Sequence, residues 1–155
     1  MSILTYLTGG ASPWDPYHYK AQLVNDTLWS IDGTVLKLNG AQYFVWSCHL
    51  PQDLCISKLK NPWTLSAKIG VISSPTLDWE QHGLLVNEAP QALYHGNLTY
   101  LTYSASFCGT QYYSLGLLRY EGGDPTEKSS WWKSDEPVFS TADGNGHNFG
   151  PGHNG

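Results

Sequence analysis

Three ionisable residues in this 155-residue chain have the types and surroundings to do chemistry together: Asp32 in Ser30-Ile31-Asp32-Gly33-Thr34, Glu88 in Val86-Asn87-Glu88-Ala89-Pro90, and His153 in Gly150-Pro151-Gly152-His153-Asn154. A carboxyl pair around a sugar-sized gap is the minimum equipment for acid-catalysed cleavage of a glycosidic bond. One of the two must hold its proton near neutral pH and give it to the leaving oxygen. Glu88 suits that donor. Leu84-Leu85-Val86 before it and Ala89-Pro90 after it would desolvate the carboxyl and raise its pKa, and a nearby second carboxylate would raise it further. Asp32 is the candidate for that second carboxylate. Taken singly, each has a bland reading: an Asp before Gly is usually a turn residue, and a Glu beside Pro is usually solvated. His153, flanked by glycines that let backbone approach a ligand, reads as a metal or water contact or as a turn histidine.

A repeat is what brings the three into one phase. Val35-Leu36 and Tyr43-Phe44-Val45-Trp46-Ser47 align with Ala92-Leu93 and Tyr100-Leu101-Thr102-Tyr103-Ser104 at an offset of 57. Helical periodicity is hard to find anywhere, whereas short runs rich in Val, Tyr, Phe, Trp and Thr recur between turn signals, so the chain reads as all-β. Thr34–Leu38 and Gln42–Ser47 form a hairpin through Asn39-Gly40, a dipeptide suited to a type I′ turn. Gln91–Tyr94 and Thr99–Ser104 form the second, through His95-Gly96-Asn97-Leu98. Each is followed by a further strand, Leu54–Leu59 or Ser114–Tyr120, and then by a turn and tryptophan. Pro13-Trp14 with Tyr17–Leu23 is a weaker echo, the tail of an earlier unit.

A period of roughly 55 to 65 residues, with about four strands per unit, fits propeller blades with long loops, a β-sandwich being the competing architecture. The reading gives a remnant of a first blade over 1–27, a second blade over 28–85, a third over 86–145 and the start of a fourth over 146–155. The first strand of a blade lines the central channel, so Asp32, Glu88 and His153, each at the start of such a strand, converge on one opening. Trp14, Trp63 and Trp132, at blade ends, read as filling between blades. Trp29 and Trp46, near the channel phase, could stack on a sugar ring or pack in the core.

Several functions are excluded or disfavoured. Eight basic against thirteen acidic residues, a net charge of -5, leave no cationic stripe for nucleic acid. No apolar run approaches the length of a membrane helix. Nucleophile elbow, phosphate loop and dinucleotide fingerprint are all absent, and the histidines and cysteines lack zinc spacing. The start MSILTYLTGG has no signal-peptide pattern. Cys48, Cys55 and Cys108 allow three single pairings, and Asn25-Asp26-Thr27 and Asn97-Leu98-Thr99 fit the glycosylation acceptor pattern, which together leave secretion open.

The motifs Ser30-Ile31-Asp32-Gly33-Thr34-Val35, Tyr43-Phe44-Val45-Trp46-Ser47, Lys60-Asn61-Pro62-Trp63, Val86-Asn87-Glu88-Ala89-Pro90, Tyr100–Ser106 and Gly150-Pro151-Gly152-His153-Asn154, in this order, closely resemble glycoside hydrolase family 43, the arabinofuranosidases and β-xylosidases. The resemblance runs from about residue 12 to the end. It implies an incomplete five-bladed β-propeller from an extracellular enzyme that hydrolyses arabinose- or xylose-containing plant polysaccharides with inversion. By motif, Glu88 matches the general acid, Asp32 the carboxylate that adjusts its pKa and orientation, and His153 the channel histidine that contacts a cation, commonly calcium, directly or through water. The family's general base begins the first blade, which one repeat back from Asp32 falls before Met1. The expectation is therefore a partial chain, nearly inactive by itself; the alternative is a non-catalytic carbohydrate-binding fragment.

Overall fold

The computed structural model describes residues 5–24, 29–141 and 148–154. The expected boundaries at 27/28 and 145/146 and the Asn25 sequon lie outside them. Ten strands form three antiparallel sheets in chain order. β1 (Tyr6–Gly9) pairs with β2 (His18–Gln22); β3 (Ser30–Leu38), β4 (Ala41–Cys48), β5 (Asp53–Asn61) and β6 (Thr64–Ser73) form a four-stranded meander; β7 (Asn87–His95), β8 (Leu98–Ala105), β9 (Ser114–Tyr120) and β10 (Trp131–Lys133) form another. Only two single-turn 3-10 segments, Asp78–Glu80 and Lys128–Ser130, interrupt the β structure of the described residues. The chain is all-β, with blade-like sheets and no closure among these residues, and a two-stranded ribbon, β1–β2, stands where the remnant of a first blade is expected.

Both hairpin turns follow from their residues. Asn39 and Gly40 take φ of 51° and 73°, the pair of positive values that a type I′ turn needs and that Asn and Gly adopt most readily. In the second hairpin His95 pairs directly with Leu98, so the loop is the two residues Gly96-Asn97 rather than the four expected. Strand pairing extends until only the residues that must turn are left out.

The equivalence of the hairpins is also physical. Thr34 Oγ1 donates to Gln91 Oε1 at 3.2 Å, the Lys37 amide donates to Tyr94 Oη at 2.8 Å, and the Ala89 amide donates to Asp32 Oδ2 at 3.2 Å, each linking positions 57 apart. Corresponding inner strands thus lie side by side, as radial sheets around an axis require.

Apolar cores fill the gaps between sheets. Leu36, Val45, Leu54 and Ile56 pack against Leu101, Tyr103, Leu118 and Trp131 across the two large sheets, while Phe44, Trp46, Cys48 and Cys55 on the opposite face of β4 and β5 meet Leu23 and Val24 beside the small one. Covered on both faces, β4 is buried continuously from Tyr43 to Cys48 instead of alternating. Cys48 and Cys55 form a disulfide between β4 and β5, and Cys108 is an exposed thiol.

The tryptophans assigned to the space between blades are instead exposed, Trp14 at 94%, Trp63 at 48% and Trp132 at 44%. Trp63 sits in the β5–β6 turn. On β10 the two-residue alternation turns Trp131 inward and Trp132 outward, under the Arg119 guanidinium at 5.0 Å.

Candidate active site

The acidic residues owe their placement to a bulge repeated in both inner strands. In β3 the register jumps from Ile31↔Ser47 to Thr34↔Val45, so Asp32 and Gly33 together oppose Trp46. In β7 it jumps from Glu88↔Ser104 to Gln91↔Thr102, leaving Ala89 and Pro90 opposite Tyr103. A bulge re-aims side chains and frees backbone groups from the ladder. Pro90, which has no amide proton, fits a position where none is needed. Asp32, Ala89 and His153 have φ of 54°, 46° and 60°. Asp reaches this left-handed region more readily than most residues.

The sequence-predicted trio comes together: one ligand atom each from Asp32, Glu88 and His153 lie within 4.8 Å of one another. A depression of about 140 Å³ beside them is walled by Asp32, Ala89, Gln91, His153 and Asn154. Asp32 is oriented by the Ala89 amide. Tyr113, which sequence reasoning missed, donates its hydroxyl to Glu88 Oε1 at 2.6 Å and lies 3.4 Å from His153 Nδ1. Burial pushes the Glu88 carboxyl above the ordinary carboxylate range. The Tyr113 hydrogen bond pulls it back, the Asp32 charge raises it, and His153 lowers it. Burial, and then its bond to Glu88, raise Tyr113 well above an ordinary phenol, so it remains a donor across the physiological range.

The His153 segment is held on top of Tyr113. The His153 amide donates to Ser104 Oγ at 2.6 Å, Ser104 Oγ donates to Asn154 Oδ1 at 3.2 Å, and Asn154 Nδ2 also bonds Thr102 Oγ1. Gly152 permits this contact, because a Cβ there would lie 2.3 Å from the Tyr113 ring.

Glu88 is anchored from behind through Asn87. The Asn87 side chain accepts from Ser73 Oγ at 2.6 Å and donates to Glu80 Oε1 at 2.9 Å, and its carbonyl accepts from Ser47 Oγ at 3.2 Å. Glu80 is fully buried yet satisfied: it accepts the Thr76 and Leu77 amides and the Tyr103 hydroxyl, each at 2.9 Å, and pairs with Lys133 Nζ at 2.6 Å. Nothing in the sequence marked Glu80, since its partners come from four separate segments.

The two proposed sugar platforms are not brought to the site. Trp46 is 1% exposed and stacks on Phe44 with ring centroids 5.4 Å apart, because both faces of β4 are covered. Trp29 is half-buried, and neither indole walls the depression.

The model for Glycosyl hydrolases family 43 matches residues 3–155. The chain belongs to that family. It is 41% identical over 131 residues to the Extracellular exo-alpha-(1->5)-L-arabinofuranosidase of Streptomyces avermitilis, covering 81% of this chain and 27% of that protein. To the protein of the same name from Streptomyces chartreusis it is 38% identical, over 81% of this chain and 39% of the other. The alpha-L-arabinofuranosidase from Lactobacillus brevis superposes with a TM-score of 0.87 at 31% identity, over 97% of this chain and 49% of that one. The family-43 chain thus spans well under half the length of these curated relatives and about half of the solved structure.

The trio could also be read as a cation site. A hard cation such as calcium takes about six to eight oxygen ligands. This cluster offers two carboxyls and one imidazole. Direct ligation therefore does not fit the donor set.

Proposed function

We propose that the protein carrying this chain is an inverting glycosidase of the α-L-arabinofuranosidase or β-xylosidase type, acting on arabinose- or xylose-containing plant polysaccharides, with Glu88 as general acid. The observation that carries this reading is a desolvated carboxyl beside a second carboxylate and aimed by a tyrosine. Protonated Glu88 gives its proton to the glycosidic oxygen as the bond to the anomeric carbon breaks, while a water attacks the opposite face and passes its proton to a general base. Asp32 is not that base. An inverting pair stands about 6.5–9.5 Å apart to admit the water, whereas Asp32 and Glu88 approach within 4.8 Å. Asp32 instead acts through its charge, keeping Glu88 protonated to higher pH.

No third carboxylate joins this cluster among the described residues. The reading assigns the base to another blade of a five-bladed propeller, and these residues by themselves turn over slowly. His153 contacts a cation only through water, and no step runs through it. The Cys48–Cys55 disulfide and the extracellular naming of both Streptomyces relatives support an extracellular location.

The test is hydrolysis by the intact protein of an arabinofuranoside with a poor leaving group. Glu88→Gln is expected to lower kcat roughly 10²- to 10⁴-fold, with a smaller loss on a nitrophenyl glycoside whose leaving group needs less protonation. Proton NMR should show a product of inverted anomeric configuration. Undiminished hydrolysis after the substitution refutes the assignment.

A further inference from the structure

Tyr113 and Tyr112 are consecutive, yet they serve different surfaces. Tyr113 reaches Glu88, whereas Tyr112 stacks on His82 with ring centroids 4.0 Å apart and planes 22° from parallel. The stacked pair forms part of a separate cleft of about 250 Å³ that also includes Trp79, Gln111, Ser140 and Thr141. His82 lies between β6 and β7 and Tyr112 between β8 and β9, so both leave the sheet at the end where Glu88 begins β7. The two loops are clamped: the His82 amide donates to Ser106 Oγ and the Phe107 amide to the His82 carbonyl, both at 2.9 Å.

The lining selects a ligand class. Tyr112 is 47% exposed, and His82 stacks on one face of its ring, which holds a rigid aromatic plane at the cleft. Among the described residues no Asp, Glu, Lys or Arg lines the cleft, so a charged ligand finds no counter-charge from them. Gln111 and Ser140 supply neutral hydrogen-bonding groups beside the aromatic plane. At just under the roughly 300–1,000 Å³ of pockets for drug-sized ligands, the volume suits about one ring. A neutral, polyhydroxylated ring with one apolar face meets all of these conditions.

We propose that the His82–Tyr112 cleft is a second saccharide subsite, taking a neutral pentose unit of the polymer whose scissile bond lies at Asp32 and Glu88. The proposal rests on the glycosidase reading above. Calorimetry on the intact protein carrying Glu88→Gln, which prevents turnover, compares arabinose with arabinotriose. Adding Tyr112→Ala should weaken arabinotriose about five- to tenfold and leave arabinose unchanged. Tyr112→Phe, which keeps the ring, should retain the affinity of the parent. Arabinotriose affinity that is equal before and after Tyr112→Ala overturns the subsite. The glycosidase reading fails by a different sign, hydrolysis that survives Glu88→Gln, and that result leaves the Tyr112 comparison to be judged on its own.

Discussion

At its bulge β3 carries Asp32-Gly33; 57 residues later, at the matching bulge, β7 carries Ala89-Pro90 with Glu88 one step before it. The backbones agree even in the positive φ of Asp32 and Ala89, 54° and 46°. What differs is which residue of the shared frame bears the carboxyl. In β3 it lies within the bulge, where the neighbouring strand's Ala89 amide can hold it. In β7 it precedes the bulge, where Tyr113 reaches it. A repeated backbone thus presents two carboxyls to one point from different directions, and their unequal surroundings support the proposed split between a charge-bearing and a proton-donating role.

Packing beneath the two bulges differs in a compensating way. Gly33 faces the Phe44 ring, which a Cβ would meet at 2.1 Å, whereas the equivalent pair in the second hairpin is Pro90 with Leu101. The anchors differ too. Ser30, at the position of Asn87, is buried and contacts the half-buried Thr5 Oγ1 at 2.7 Å, while Asn87 is tied to the buried, charged Glu80.

If that buried anchor holds the second hairpin, Lys133→Met should produce the largest stability loss, about 3–5 kcal/mol, because it leaves Glu80 buried without its counter-ion. Chemical denaturation measures it, and a loss below 1 kcal/mol would mean that the network is not holding the sheets. Next comes Gly33→Ala, expected to cost about 1–3 kcal/mol by overpacking against Phe44. Adding Phe44→Leu, which copies the Leu101 solution of the other hairpin, should recover part of that cost in a double-mutant cycle.

The pH profile gives the finer test of unequal surroundings. In the proposed role Glu88 acts while protonated, so the rate should fall as pH rises through its pKa. Asp32→Asn removes a charge that raises that pKa, and should move the high-pH limb of kcat/KM to lower pH. Tyr113→Phe removes a bond that favours the ionised carboxyl, and should move the same limb to higher pH. Shifts in the same direction would show that the two residues do not act on Glu88 as described.

Much of this was legible in the chain itself. The offset of 57 between two runs of aromatic and β-branched residues identified the repeated hairpins, and Asn39-Gly40 identified a turn, because backbone preferences act over a few residues. The common phase of Asp32 and Glu88 followed from the same repeat, and His153, 65 residues beyond Glu88, stands at the start of the next, longer-spaced unit. Tryptophans were less legible: Trp46 is interior because sheets cover both faces of β4, and Trp63 is exposed because it occupies a turn. Composition carries neither fact.

The sequence by itself therefore determined most of the strands, their repetition and the meeting of the three ionisable groups, all consequences of local pattern and an approximate period. Only the tertiary structure decided their environment. Tyr113 reaches Glu88 from 25 residues away, and Lys133 reaches Glu80 from 53. Hydrogen bonding and desolvation depend on distances of a few ångströms between groups that no repeat relates, so the raised pKa of Glu88 emerges when the sheets pack.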